Sequence, residues 1–431
     1  MRGGLRALRS LAQMELIDRV GLRELTEQLV YSGTRNGFVA ANTAARSFKA
    51  VQKLTSPKRQ PSAKPKALFD LTPSDEQEMM VEAFGDFAAQ KLRPAASEAD
   101  AACKAPDELM AQAGELGITS LGVPEELGGV TEERSAVTSV LISEALAKGD
   151  MGIAVAALSP AAVSTALGLW GDADQQATYL PPFVAEHPPA AALAITEPRA
   201  LFDPFELETK ARREGDGFVL DGFKSLVPRH SAAELFIVAA ELDGPGPALF
   251  VVEPSSDRVL VEEEPGMGIR AARTGQLKLD GVKLGAGALL GEGSPDVYAD
   301  CIRLARIGWC AVACGTAAAV LDYVTTYVNE RSAFGEPISH RQAVAFTVAD
   351  MAIETEGMRL ATLRAAGLVD QGKDFARETA IARRLCANKG MKIGSDGVQM
   401  LGGHGYTKEH PVERWYRDLR AAGVMEGALL V

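Results

Sequence analysis

Glu426 is the carboxylate whose setting most suggests chemistry. It lies in the tail Gly423-Val424-Met425-Glu426-Gly427-Ala428-Leu429-Leu430-Val431, where nothing else is charged. A carboxylate kept from water among apolar groups has its pKa raised toward neutrality, as a general base requires. Two glycine-marked features interrupt the otherwise helical pattern from Arg306 onward: the turn Phe334-Gly335-Glu336-Pro337 and the cluster Gly402, Gly403 and Gly405. Glycines let a backbone approach a ligand closely, although a Gly pair alone equally marks a helix C-terminus. Five histidines without HExxH spacing give no metal signal. Cys103, Cys301, Cys310, Cys314 and Cys386 are odd in number, without a CxxC pair, and read as buried thiols of a reducing compartment.

These residues need a scaffold, and 431 residues are enough for two or three packed domains. A hydrophobic content of 47% with 24% charged residues is that of a soluble globular protein. The net charge of −12 argues against a nucleic-acid partner. Residues 1–66 carry 13 Lys+Arg against 4 Asp+Glu, a balance of +9, so the remainder carries −21. This basic arm is either a solvated extension or a contact to a partner protein or an anionic membrane surface. The uncharged run 151–171 is alanine-rich with Pro160 in its middle, which predicts a buried helix pair rather than a membrane span. The first ten residues are arginine-rich and acid-free, as in a transit peptide. Glu15 and Asp18 follow at once, however, and no secretory apolar stretch is present, so the expectation is a cytoplasmic protein.

Helical spacing of Leu5, Leu8 and Leu11, and again of Phe38, Ala41 and Ala45, predicts short helices before a Pro- and Lys-rich linker at 56–67. A helical domain over 68–187 follows, with Thr72 as its first N-cap. Period-two runs at 191–196, 218–223 (turning at Asp221-Gly222), 235–242, 248–254 and 276–284 predict an antiparallel β-domain over 188–296. Helices near 298–330, 339–371 and 375–402 fill 297–431, after the extension 1–67. The fold class is mainly α with a central antiparallel β-domain.

Over residues 70–431 the chain resembles the acyl-CoA dehydrogenase family. The resemblance rests on PEELGG (124–129), AITEP (194–198), GMGIR (266–270), RSAFGEPISHRQ (331–342), LGGHGY (401–406) and MEG (425–427), in one order. It implies a helical N-domain, a β-barrel middle domain and a four-helix C-domain. It also implies FAD held between subunits of a homodimer or homotetramer, an acyl-CoA substrate, an electron-transfer flavoprotein as partner and, in a eukaryote, the mitochondrial matrix. By resemblance Leu193, Ile195, Thr196, Leu226 and Pro228 contact the cofactor. Arg331, Phe334 and Gln342, with Gln399, Leu401, Gly402 and Gly403, cover the adenosine-pyrophosphate half of an FAD in the neighbouring subunit. Arg306, Met425 and Gly427 fall on the substrate side.

Glu426 matches the base in the family's Tyr-Glu-Gly-Thr motif, and Ala305 occupies the position where some members place their base instead. Three departures stand out. The family's Gly-Ala-Gly-Ser-Asp loop is Arg199-Ala200-Leu201-Phe202-Asp203 here, and its Trp-Ile-Thr/Ser-Asn is Leu226-Val227-Pro228-Arg229. The threonine after Glu-Gly is Ala428, and the customary terminal helix has no counterpart. These leave a binding or scaffold flavoprotein, or an acyl-CoA oxidase, as alternatives to a dehydrogenase.

Overall fold

The computed structural model describes residues 72–129, 134–254 and 258–429. The expectations for the basic extension and its linker lie outside the described residues. Helix α1 (Asp75–Phe87) is capped by Ser74, not Thr72. The Ser74 hydroxyl accepts the Gln77 N–H at 3.2 Å, and the Gln77 side chain accepts the Ser74 N–H at 3.0 Å. The glutamine three residues on makes this reciprocal box, and Thr72 has none in that position.

A π-helical turn (Ala88–Leu92) joins α1 to α2 (Arg93–Ala102), and α3 (Asp107–Glu115) follows. Next come α4 (Ala136–Gly149), α5 (Met151–Trp170) and α6 (Ala173–Tyr179). The run expected as a helix pair is the single helix α5, with Pro160 inside it. Its start is fixed by Asp150, whose carboxylate accepts the Ile153 N–H at 2.9 Å. Both α5 and α7 (Pro295–Glu330) are long and apolar enough to cross a membrane, and both are mostly buried inside the protein.

The central sheet contains β1 (Ala191–Ala194), β2 (Lys210–Glu214), β3 (Gly217–Val227), β4 (Leu235–Leu242), β5 (Gly246–Val252), β6 (Val259–Glu263), β7 (Gly275–Leu284) and β8 (Leu289–Leu290). Their order is β6-β7-β3-β2-β4-β5-β8, with β1 beside β4. Five pairings are antiparallel, but β1 and β2 both run parallel to β4, so the sheet is mixed. Asp221-Gly222 is not a turn but a register shift within β3. Gly222 lies so close to β2's approach that an added Cβ would stand 2.6 Å from Thr209 Cα. The hairpin turn is Gly215-Asp216, with Gly215 at φ +60°.

After α7 come the two-residue strands β9 (Ser332–Ala333) and β10 (Glu336–Pro337), then α8 (Gln342–Asp370), α9 (Ala376–Met400) and α10 (Val412–Leu419). Phe334 and Gly335, both at positive φ, form the hairpin tip. Helix α7 is the central post: Cys310, Cys314, Val320 and Val324 pack into a core shared with Met358, Cys386 and Trp415. All five cysteines are free; four are buried and Cys103 is half-buried.

Candidate active site

The tail carrying Glu426 leaves α10 through the tight turn Arg420–Gly423 and is clamped on three sides. Arg306 of α7 donates to the Glu426 carbonyl through Nε at 3.1 Å and Nη2 at 2.9 Å. Arg383 of α9 donates to the Gly427 carbonyl. The Ala428 N–H donates to the Phe202 carbonyl at 2.9 Å. These bonds hold Glu426 at φ +54°, a left-handed conformation costing a side-chain-bearing residue about 1–2 kcal/mol. Gly427, at φ +104°, has no room for a side chain: an added Cβ would meet Pro204 Cδ at 2.6 Å. The bulky Arg199–Asp203 stretch therefore acts as the wall against which the tail is fixed, with Phe202 buried.

Clamped this way, the Glu426 side chain is 6% exposed. Its Oε1 accepts the Trp309 indole N–H at 3.1 Å, and Oε2 lies 3.5 Å from the Thr196 hydroxyl. Burial pushes its pKa up from the usual carboxylate value, opposed by the Trp309 bond and by the Arg383 and Arg306 charges. The result is a desolvated carboxylate, more basic than a solvated one.

Glu426 faces a cavity of about 210 Å³. Leu193, Ile195, Thr196, Leu226, Pro228 and Met425 line it together with Trp309 and, from α4, α5 and α7, Val140, Leu158, Ala162 and Leu304. Ala305 also lines it and offers no second carboxylate. The β1 side of this wall is anchored by a buried ion pair, Lys224 Nζ to Glu197 Oε1 at 2.8 Å. Glu197 further accepts the Glu208 and Thr209 N–H groups, and Lys224 donates to the Ile195 carbonyl. Burial draws the Lys224 ammonium down to about 8. Glu264 holds the next corner, accepting from the Ser225 hydroxyl and from the Leu226 N–H at 2.8 Å.

The structure thus gathers seven of the residues singled out in the sequence at one cavity, while Arg306 and Gly427 support the tail beside it. It places the others elsewhere. Arg331, Phe334, Gln342, Gln399, Gly402 and Gly403 are exposed and line no part of the cavity, and Leu401 is buried. Phe334 is 96% exposed, and open space surrounds the Cβ positions of Gly402 and Gly403. The two sets fit FAD by its chemistry: a largely apolar slot with the Thr196 hydroxyl for a flat ring, and an outward glycine-lined edge with Arg331 for an anionic end. Exposed His404 and Glu409 and half-buried His410 have ligand atoms within 4.8 Å of one another, a grouping that HExxH spacing does not mark.

Sequence reasoning missed Trp309, Arg383 and the Glu197–Lys224 pair. Trp309 had a signal, since it stands one helical turn after Arg306 and so shares its face. Arg383 had none, because its partner is a backbone carbonyl 44 residues away.

Comparison with known proteins gives the same picture. The acyl-CoA dehydrogenase N-terminal, middle and C-terminal domain families match residues 74–187, 192–282 and 295–429. The short-chain specific acyl-CoA dehydrogenase, mitochondrial, of Bos taurus is 32% identical over 81% of this chain and 86% of its own length. A probable acyl-CoA dehydrogenase of Bacillus subtilis is 32% identical over 83% of this chain and 96% of its own. The solved butyryl-CoA dehydrogenase of Megasphaera elsdenii superimposes with a TM-score of 0.78, at 30% identity, over 84% of this chain and 97% of that one. Matched along its length by all three domains in order, the chain belongs to the acyl-CoA dehydrogenase family of FAD-dependent oxidoreductases.

Proposed function

We propose that the protein desaturates an acyl-CoA thioester between Cα and Cβ, with Glu426 as the base that takes the α-proton. The observation that carries this is the Glu426 carboxylate, buried on the wall of an apolar cavity and aimed by Trp309. An α-C–H is a weak acid, so the base must be unsolvated, and burial supplies that condition. Trp309 and Thr196 fix the carboxylate's orientation, and Arg306 and Arg383 fix the backbone that carries it. FAD, when bound, supplies the hydride acceptor for Cβ. Leu193, Ile195, Thr196, Leu226 and Pro228 would hold its ring end. Leu226 and Pro228 make that wall apolar, and the Ser225 hydroxyl between β3 and Glu264 is already engaged.

The adenosine-pyrophosphate end would rest on Arg331, Phe334, Gln342, Gln399, Leu401, Gly402 and Gly403 of a second subunit, in a homodimer or homotetramer. An apolar stripe supports such an assembly: Phe346, Ile353 and Leu360 recur every seven residues along α8 and are 60%, 69% and 41% exposed. An electron-transfer flavoprotein is the fitting electron acceptor. Domains over 68–187, 188–296 and 297–431 are the fitting division of the chain, and the cytoplasm, or the mitochondrial matrix in a eukaryote, is the fitting location. Anaerobic addition of short acyl-CoA thioesters to the yellow holoprotein tests the reading: its flavin absorbance is expected to bleach. Retained absorbance with every thioester would favour a scaffold flavoprotein, and peroxide formation in air an oxidase.

A further inference from the structure

The segment that joins α9 to α10 carries three side chains with no part in the account above: His404, Glu409 and His410. None of them lines the cavity that Glu426 faces. His404 Nδ1 stands 3.0 Å from Glu409 Oε2, and the His404 and His410 rings meet edge-on with centroids 5.8 Å apart. One ligand atom from each of the three lies within 4.8 Å of the others. Two ligands of a tetrahedral ion bonded at about 2.0–2.1 Å stand about 3.3 Å apart, so only a small adjustment closes the group on an ion. His410 is also held from outside the group. Its Nδ1 lies 2.6 Å from the Tyr323 hydroxyl of α7, and the Tyr323 and Tyr327 rings pack edge-on against it. Tyr323 is itself seated edge-on against the buried Trp415. With Nδ1–H donated to Tyr323, the lone pair of His410 is left on Nε2. An imidazole whose outer nitrogen is engaged in this way is the usual arrangement of a ligating histidine.

We infer that His404, Glu409 and His410 bind one divalent transition-metal ion of the zinc class, which staples the two ends of the loop between α9 and α10. Two imidazoles and one carboxylate suit zinc and its neighbours, whereas magnesium and calcium call for oxygen ligands throughout. Three protein ligands leave a coordination position for water. The side chains of His404 and Glu409 are 51% and 65% exposed, so the ion exchanges with solution rather than being locked in during folding. A plain histidine–carboxylate hydrogen bond accounts for His404 and Glu409 alone. It does not account for a third ligand group within reach whose outer nitrogen is already engaged. The inference is independent of the acyl-CoA reading.

The test is calorimetric titration of zinc chloride into FAD holoprotein stripped of metal with EDTA and desalted. One ion per chain is expected, with a dissociation constant in the micromolar range or tighter, and magnesium chloride should give no comparable binding. His404→Ala, Glu409→Gln and His410→Ala are each expected to weaken zinc at least about tenfold, and Tyr323→Phe, which removes only the oxygen on His410 Nδ1, about tenfold. Zinc should also raise the thermal midpoint of the wild type but not that of the double variant His404→Ala, His410→Ala. Midpoints recorded without zinc separate loss of the site from loss of folding. Absence of zinc binding in the micromolar range would overturn the inference, as would magnesium binding as tightly as zinc. Zinc affinity unchanged by both His404→Ala and His410→Ala would overturn it too, because the ion would then sit elsewhere on the chain.

Discussion

At the residue scale, the site consists of one carboxylate and the groups that decide its basicity. The Trp309 N–H stabilises the ionised form of Glu426, so its removal raises the pKa further. Trp309→Phe is expected to move the acidic limb of the rate–pH profile upward by about one unit, since hydrogen bonds to charged groups are worth about 1.5–3 kcal/mol. An unmoved limb would mean that the indole does not set this pKa. Stability carries the same signature with the opposite benefit. Below the ordinary value of 4.5, Glu426 is protonated both folded and unfolded; as pH rises through its higher folded value, the buried group must ionise and stability is lost. The stability of Glu426→Gln relative to wild type should therefore be greater at about pH 8 than at about pH 5, as read from thermal midpoints. Glu426 was legible from the sequence because a lone charge in an apolar tail stands out. Its left-handed backbone and its indole partner were not, because both depend on contacts from α7 and α9.

At the scale of elements, the cavity wall depends on how β1 and β3 are tied together. Strand 276–284 was readable because β7 alternates buried and less buried residues, and 191–196 because it is a short apolar run that is buried almost throughout. Strand β2, Lys-Ala-Arg-Arg-Glu, was not readable, since only Ala211 is buried and its pairing rather than its composition makes it a strand. The bulge at Gly222 imitated a turn because Asp-Gly has the composition of one. The link that matters is the Glu197–Lys224 pair. Replacing Lys224 by methionine leaves a buried carboxylate unpaired, for an expected loss of about 3–5 kcal/mol in denaturant unfolding. Pairing that change with Glu197→Gln should recover a large part of the loss. If Lys224→Met alone were neutral, the ion pair would not be what holds Thr196 and Leu226 in place.

At the scale of the whole molecule, the helix–sheet–helix order was legible from the switch in hydrophobic period, whereas the run 151–171 was expected as a helix pair and forms the single helix α5. The family resemblance already divided the singled-out residues into two sets, and the structure puts one around a cavity and the other, the buried Leu401 apart, on an exposed edge. Sequence spacing cannot separate them, because Leu401 through Gly403 and Glu426 are close along the chain. That separation is why a second subunit belongs in the account. Ile353→Glu, placed in the exposed stripe of α8, is expected to shift the protein to a smaller species in sedimentation and to release FAD. Unchanged mass with FAD retained would remove the stripe from the interface.

The central claim is that Glu426 takes the α-proton, and the rate of flavin reduction by acyl-CoA under anaerobic single-turnover conditions tests it most directly. With butyryl-CoA, Glu426→Gln holoprotein should still bind thioester, yet bleach at least about 10²-fold more slowly than wild type. Bleaching at the wild-type rate in Glu426→Gln would contradict the account, because the proton would then be leaving to some other group.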